Sequence, residues 1–559
     1  MSDGKNLWLE RRGDWVSVVV TILGFLARVW AAHGTFLNPD EALHFRLANQ
    51  SSLALAYKES LTASHPPLLT IILYYWRNFG TSELSLRMPS AIAGTVFCWM
   101  FYRWLSGVAG KLTGFIGLLF VAFLPPIVLL SAEIRQYALF LAFLASALYF
   151  LDAAFKEKSV IKMAAFSVCL YLAMLSHYSA FLFAAALGIY ALVRIFAEAV
   201  PAPLVTLWAA GQFGALVLAG FLYKTHLAKL GAGESRTVLQ GWMSEFFLRR
   251  SYFDGSRDNP LVFVIGRSFG VFQFVFGQLA VGDLAGLLFL AAIVFLVRGT
   301  ARRNDSSSVT GSRQLALLLA LTFTFVCGAS LAHFYPYGGT RHSALLAIPA
   351  VAGVSIALGQ LSRGRLDRAV PLAVIIIFLC VVFGKEHQPY MQRADQNRTH
   401  MSEAIHFLRQ SSNSSAPIFT DYESDLILGH YLCEQKPLRF EESVPNFEVF
   451  SCGGVRVVSA SYKAATLFGA ENFASSWNGL VRTYHLQAGD NIWVVQAGWR
   501  VDLAQELQNR FAEFHNLEVK SFGNNIRLFR LTVGQPIPAF AGQAGFTFLR
   551  LDSAPAPAE

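Results

Sequence analysis

Apolar stretches about as long as a bilayer is thick recur along the first two thirds of this chain, and no other feature restricts the fold as strongly. A helix needs ~20 mostly apolar residues to cross the hydrocarbon core. Stretches near that length lie at 15–32, 86–104, 112–130, 137–155, 160–176, 179–196, 204–222, 283–298, 314–332, 342–360 and 369–384. The stretch 260–280 is apolar too, but Arg267 sits in its middle, so it reads as a helix lying at the interface. The fold class is a polytopic α-helical membrane protein of about 11 to 13 spans. Composition agrees: of 559 residues 54% are hydrophobic and 14% charged, against roughly 25% charged in a soluble domain. The first stretch exceeds the ~7–15 apolar residues of a signal peptide, so it reads as an uncleaved span.

Orientation follows from the basic residues, which are retained on the cytoplasmic side. Lys5, Arg11 and Arg12 precede the first span. Alternate loops then carry Arg103 and Lys111, Lys156 and Lys158, Arg194, the group Arg298, Arg302, Arg303 and Arg313, and finally Arg363, Arg365 and Arg368. An odd number of spans places everything after Gly384 outside. The net charge of +9 is dispersed through these loops rather than gathered in a patch, which argues against a nucleic-acid partner.

From about residue 385 the apolar residues come in short runs (APIFT, VRVVSAS, NIWVVQAG, NIRLFRLTVG) interleaved with helical spacing, the pattern of a small soluble α/β domain. The expected organisation is a transmembrane catalytic domain over 1–384, an extracytoplasmic α/β domain over 385–535 and a flexible tail over 536–559. Cys98, Cys169, Cys327 and Cys380 lie in apolar runs, whereas Cys433 and Cys452 lie in the α/β domain. That pair reads either as a disulfide, which an outside location permits, or as two unrelated thiols.

Two outer loops are long, 33–85 and 223–282. In the first, Pro39 and Asp40 signal a helix start, with helices expected over 41–57 and 66–79, both lying on the membrane surface. This loop carries Asn38-Pro-Asp40-Glu41-Ala-Leu-His44-Phe45, then His65-Pro-Pro-Leu68. Further on come Gly80-Thr-Ser-Glu-Leu-Ser-Leu-Arg87, Ala132-Glu133-Ile-Arg135-Gln-Tyr137 and His177-Tyr178. The first loop resembles that of the protein O-mannosyltransferases and of the wider GT-C glycosyltransferases that use polyprenyl-phosphate sugars, including lipid A aminoarabinose transferases. The likeness is good over about residues 10–195, extends by topology to about 384, and does not carry residue by residue into the C-terminal domain; the large luminal insert of the protein mannosyltransferases is not recognisable.

The resemblance implies an inverting transfer of a sugar from a polyprenyl phosphate to an outside acceptor. Such a transfer needs a carboxylate to take the acceptor proton and cations to meet the charge growing on the phosphate. Asp40 fits the base, with a helix N-cap as its alternative. Glu41 either orients Asp40, binds acceptor or serves the helix dipole. Arg135, Arg341 and Arg87 are the candidates for the donor phosphate; Arg135 otherwise pairs with Glu133, and Arg87 otherwise anchors its helix at the interface. His44, His65, Tyr137, His177, Tyr335 and His342 complete the candidate site, against interfacial or loop-terminating roles. No Walker A loop, no Gly-x-Gly-x-x-Gly after a strand and no His-Glu-x-x-His is present, so neither a nucleotide-sugar donor nor a cofactor is expected. Asp40 and Glu41 are hard oxygen donors, but no further ligands join them and no metal is expected. The competing readings are a transporter or flippase of lipid-linked sugars, and a noncatalytic assembly protein. The sugar is open, and the acceptor is equally open between lipid, polysaccharide and protein.

Overall fold

The computed structural model describes residues 2–230, 248, 251–299, 311–384, 395–411, 417–433, 436–438, 440–441, 446–452, 454–461, 465, 467–511 and 514–534, with side chains from Asp14 onward. The expected tail 536–559, the loop residues Arg302 and Arg303, and the side chains of Lys5, Arg11 and Arg12 lie outside the described residues. The chain divides into two compact units, Met1–His33 with Leu47–His387, and Gly34–Arg46 with Gln388–Glu559. A short piece of the first outer loop thus belongs with the C-terminal unit.

The first unit is helical. After α1 (Ser2–Ala32), helix α2 (Pro39–Ala48) leads in from the second unit, and α3 (Leu53–Ser60) and α4 (Leu68–Trp76) complete the first long loop. Then follow α5 (Glu83–Ala109), α6 (Lys111–Phe123), α7 (Pro125–Leu130), α8 (Tyr137–Glu157), α9 (Val160–Ser176), α10 (Ala180–Ala197) and α11 (Ala202–Leu222). The remaining helices are α12 (Pro260–Phe276), α13 (Leu279–Val297), α14 (Ser312–Leu331), α15 (Ala347–Leu361) and α16 (Leu366–Phe383).

Among the described residues nine helices are long and apolar enough to cross a membrane. The expected spans 112–130 and 160–176 correspond to the shorter helices Lys111–Phe123 and Val160–Ser176. The first of these is cut because Pro125 cannot continue the ladder: Leu124 before it is extended, and a new helix starts at the proline. The expected helix 41–57 is also two helices. Polar residues 49–52 interrupt it, Ser52 caps α3 by accepting from Leu55 N, and Arg77 donates to Ala48 O and, at 2.9 Å, to Asn49 Oδ1.

Two buried charged groups inside this unit show how polar partners meet charge in a low-dielectric interior. Asp152 accepts from Trp104 Nε1 (2.8 Å), Tyr190 OH (2.7 Å) and Arg194. Arg28 donates to the carbonyls of Gly24 (2.9 Å) and Val121 (2.8 Å), tying α1 to α6.

The second unit is α/β. Its elements are α17 (Arg398–Ser411), β1 (Ile418–Thr420), α18 (Tyr422–Leu432), β2 (Phe447–Cys452), β3 (Val455–Ala460), α19 (Ala470–Thr483), β4 (Asn491–Ala497), α20 (Leu503–Arg510), β5 (Val519–Ser521) and β6 (Ile526–Thr532). The sheet order is β2-β3-β1-β4-β6-β5, with β3, β1 and β4 parallel and the edge strands antiparallel. The apolar runs seen in the sequence are its central strands. Phe419, Val458 and Val494 meet Phe473 and Trp477 of α19 and Leu503 and Leu507 of α20 in the core. Cys433 and Cys452 form a disulfide with Cα atoms 5.0 Å apart, which joins the end of α18 to the edge strand β2.

Candidate active site

In the second unit, residues 34–46 are stitched to the domain by several contacts. Thr35 pairs with Asn397 in an isolated β-bridge, Arg398 N donates to Gly34 O (3.0 Å), and Phe36 N donates to Gln396 O (2.8 Å). Leu37 N donates to Tyr431 OH at 2.9 Å. Gly498 has a positive φ of 122°, and a Cβ there would come within 2.9 Å of Pro39 Cγ and 3.3 Å of Ile427 Cδ1. Glycine is therefore needed both for the backbone turn and for the close approach of Pro39.

The start of α2 separates the two acids of the Asp-Glu pair. Asn38 Oδ1 accepts from Glu41 N (3.0 Å), and Glu41 Oε2 accepts from Asn38 N (3.1 Å). This reciprocal arrangement is a capping box, so Asn38 rather than Asp40 is the cap. Glu41 is wholly buried and its carboxylate serves the helix start, whereas Asp40 keeps partial exposure. Of the two carboxylates, Asp40 is the more exposed. His44 is buried one turn further along α2. Arg46 pairs with Asp425 (3.0 Å) and Glu448 (2.7 Å).

In the first unit, the ends of α8, α9, α10 and α14 that the charge pattern assigns outside bring together residues distant in sequence. The His177 ring stacks on His65 (centroids 5.7 Å apart), lies 5.4 Å from Tyr137 and 5.1 Å from Phe140, and meets the Tyr335 ring edge-on at 6.4 Å. The Arg135 guanidinium sits 5.7 Å from the Tyr137 ring centroid. Four of the expected residues, His65, Tyr137, His177 and Tyr335, thus form one cluster with Arg135 beside it.

Local bonds fix this cluster. Ser179 N donates to His177 Nδ1 (3.2 Å), so Nδ1 is an acceptor and the neutral ring carries its proton on Nε2. Burial, and then the charge of Arg135, push the imidazole down to about 3. The His65 loop is held by His226, in the π-helical turn that follows α11: Nε2 donates to Ala63 O at 2.7 Å while Nδ1 bonds Tyr178 OH. Tyr335 OH donates to His342 O (2.7 Å), which joins the 333–340 loop to the short 3-10 helix Arg341–Leu346. Arg341 opens that helix and is half-buried. Arg87 is buried and donates to Ala32 O at 2.9 Å, at the last residue of α1.

Two residues escaped the sequence reading. Gln136 is fully buried, and among the described residues neither its Nε2 nor its Oε1 has a hydrogen-bond partner. The buried hydroxyl of Tyr137 is likewise unmatched. Such groups are costly unless something satisfies them. Gln136 stood inside the quoted Glu133–Tyr137 stretch, but an amide between two stronger signals reads as filler. The second missed residue is Glu423 of α18, buried with Oε2 unmatched. Burial, then the Asp421 and Asp40 carboxylates, push it well above the usual carboxylate range. Among the described residues no group of three or more His, Cys, Asp or Glu side chains is placed to hold a metal ion.

Residues 64–223 match the family described as dolichyl-phosphate-mannose-protein mannosyltransferase. The matched segment contains His65, Arg87, Arg135, Tyr137 and His177. The crystal structure of ArnT from Cupriavidus metallidurans bound to undecaprenyl phosphate is similar with a TM-score of 0.53, over 93% of this chain and 98% of that one, at 12% identity. More distant is the Archaeoglobus fulgidus oligosaccharyltransferase in complex with Zn and sulfate, with TM-score 0.45 and 13% identity over 86% of this chain and 67% of that one. The same organism's oligosaccharyltransferase AglB, in complex with an inhibitory peptide and a dolichol-phosphate, gives 0.43 and 12% over 86% and 70%. No curated protein sequence matches the chain significantly. The fold is GT-C-like and is shared with that ArnT. Residues 64–223 are thus similar to a family of glycosyltransferases, within a chain that shares the fold of that ArnT.

Proposed function

We propose that the protein moves a sugar from a polyprenyl-phosphate donor to an acceptor on the outer side of the membrane, with inversion at the anomeric carbon. The observation that carries this reading is the buried run Arg135-Gln136-Tyr137 beside His65 and His177. It gathers a cation, an amide with both polar atoms unmatched and an unmatched phenol hydroxyl, a donor set suited to a phosphate ester. The undecaprenyl phosphate bound by ArnT supports the same donor class.

In this scheme an oxygen of the acceptor attacks the anomeric carbon as its proton passes to Asp40. The bond from that carbon to the phosphate oxygen breaks, and its electron pair leaves with the phosphate. The diester becomes a monoester and gains negative charge, which Arg135 and Arg341 meet. Arg87 and His342 serve the phosphate side, Arg87 through its hold on the end of α1, and His44 serves beside Asp40 on α2. The transmembrane part, residues 1–384 apart from the loop piece 34–46, holds the donor; residues 385–535 form an extracytoplasmic domain. The Cys433–Cys452 disulfide supports an oxidising compartment for that domain, and a bacterial inner membrane with a periplasmic site fits it. The rival flippase reading places its charged residues near the bilayer midplane, whereas here they collect at helix ends.

Undecaprenyl phosphate is the probe for the test. Purified full-length chain binds it, and Arg135→Gln weakens binding by roughly 10- to 100-fold, the worth of a charge-assisted hydrogen bond. Equal affinity in the two proteins removes Arg135 from the donor site.

A further inference from the structure

Glu423 lies on the face of α18 that receives the loop piece 34–46. Helical spacing puts Glu423 one turn before Ile427, which shares the Gly498 contact with Pro39, and two turns before His430 and Tyr431. His430 meets the Phe45 ring edge-on at 5.2 Å, and Tyr431 accepts from Leu37 N. Asp425, on the same helix, holds Arg46. The loop piece is thus fastened to α18 on both sides of Asp40, and this brings Asp40 within electrostatic reach of Glu423. Glu423 is 95% buried with Oε2 unmatched, while Asp40 is partly exposed.

We infer that Glu423, supplied by the C-terminal domain, is the positioning partner of Asp40: the two carboxyls share one proton and present a single negative charge. This rests on the reading of Asp40 as the base. Two like charges confined together do not both ionise, and the more deeply buried group keeps the proton. The other charged groups nearby are accounted for. Asp421 accepts from Ser424 N and Phe468 N. Asp425 and Glu448 are paired with Arg46, Glu41 is in the capping box, and Arg500 is bound by Asp502 and Glu506. His44 and His430 are buried imidazoles on the packed helices. Against this background Asp40 is the partly exposed carboxylate on α2. When Asp40 takes the acceptor proton the pair becomes neutral, and the proton leaves through the exposed side of Asp40.

Infrared spectroscopy reads the inference directly, because a protonated carboxyl has a C=O stretch distinct from that of a carboxylate. The full-length chain in nanodiscs at neutral pH is expected to show a protonated-carboxyl band that Glu423→Gln lacks. In Asp40→Asn the same band should titrate at lower pH by about one unit, since a like-charged neighbour is gone. An intact Cys433–Cys452 disulfide and bound undecaprenyl phosphate verify folding, and Glu423→Asp serves if the glutamine variant misfolds, with the band retained at a shifted frequency. A spectrum unchanged by Glu423→Gln, or a titration unmoved by Asp40→Asn, overturns the pairing and leaves the base reading standing. Asp40→Asn membranes that still consume their polyprenyl-phosphate glycolipids overturn the base reading instead.

Discussion

His177 in the helical unit and Glu423 in the α/β unit are both buried ionisable groups pushed toward their neutral forms, with neighbouring charges of opposite sign adding to the effect of burial. An imidazole refuses a proton when buried beside a cation, and a carboxyl keeps one when buried among anions. The first environment is cationic and aromatic, with Arg135, Tyr137 and Phe140 around the ring. The second is acidic, with Asp40 and Asp421 around the carboxyl. In the proposed scheme the first would meet a departing phosphate and the second an arriving proton, so the two halves of the transfer would fall in differently charged surroundings.

The strongest way to break this comparison is at Asp40. Asp40→Asn is expected to lower transfer by at least ~100-fold, the usual scale of general-base catalysis, with folding nearly intact. Glu41→Gln should behave differently: it disturbs the capping box, costs ~1 kcal/mol of stability, and leaves most of the turnover. Measured rates of glycolipid consumption in the two variants settle the assignment. Near-normal turnover in Asp40→Asn, or equal losses in both, sinks the division of labour between these neighbours.

How much of this was legible before the structure depends on how local each signal is. The membrane helices announce themselves because each carries its own apolar length, and the strands of the sheet because each short run is bounded by turn residues. The break at Pro125 was also local, yet the apolar run on both sides of it masked the proline. His65, Tyr137, His177 and Tyr335 could be picked as candidates from motif and position, but their clustering joins residues up to 270 positions apart and no spacing encodes it. The membership of residues 34–46 in the second unit was invisible, since it depends on Tyr431, Gly498 and Asn397 far along the chain. Glu423 was hidden by resemblance to an ordinary acidic helix start, where Glu and Asp favour the dipole. Only its burial sets it apart.

The acidic region should also be the one that depends on the disulfide. Replacing Cys433 and Cys452 by Ser removes a link spanning 19 positions and is expected to cost ~3 kcal/mol in the chain-entropy model. Because the bond ties α18 to β2, the loss should loosen α18 and the Asp40 segment while leaving undecaprenyl-phosphate binding to the helical unit intact. Hydrogen exchange read separately in residues 417–433 and 137–176 tests this. Equal loosening of both would show that the two regions do not melt independently.

On the cationic side the expected loss is smaller. Gln136→Leu fills a similar volume without polar atoms, so it should leave folding unharmed or slightly improved, because two unmatched buried atoms disappear. Affinity for undecaprenyl phosphate should nevertheless fall by roughly 3- to 10-fold, the worth of one neutral hydrogen bond. Unchanged affinity would make Gln136 a packing residue only.

The smallest effect bears most directly on the contrast between His177 and Glu423, because it has a sign. The His177 ring titrates at about 3 in the folded chain against an ordinary 6.5. Below 6.5 the unfolded chain takes up a proton that the folded ring refuses, so its contribution to stability is present above 6.5 and is lost as pH falls toward 3. Glu423 is shifted the other way, above its ordinary 4.5. There the folded chain keeps a proton that the unfolded chain gives up, so its contribution is present below 4.5 and is lost as pH rises toward the raised value. Neutral replacements remove each dependence. The gain in Tm of Glu423→Gln over the parent should therefore grow between pH 4 and pH 8, and that of His177→Asn should grow between pH 7 and pH 5. Thermal unfolding of the full-length chain across that range measures both. If the two differences slope in the same direction, the regions are not oppositely charged surroundings for their buried groups, and the electrostatic contrast fails.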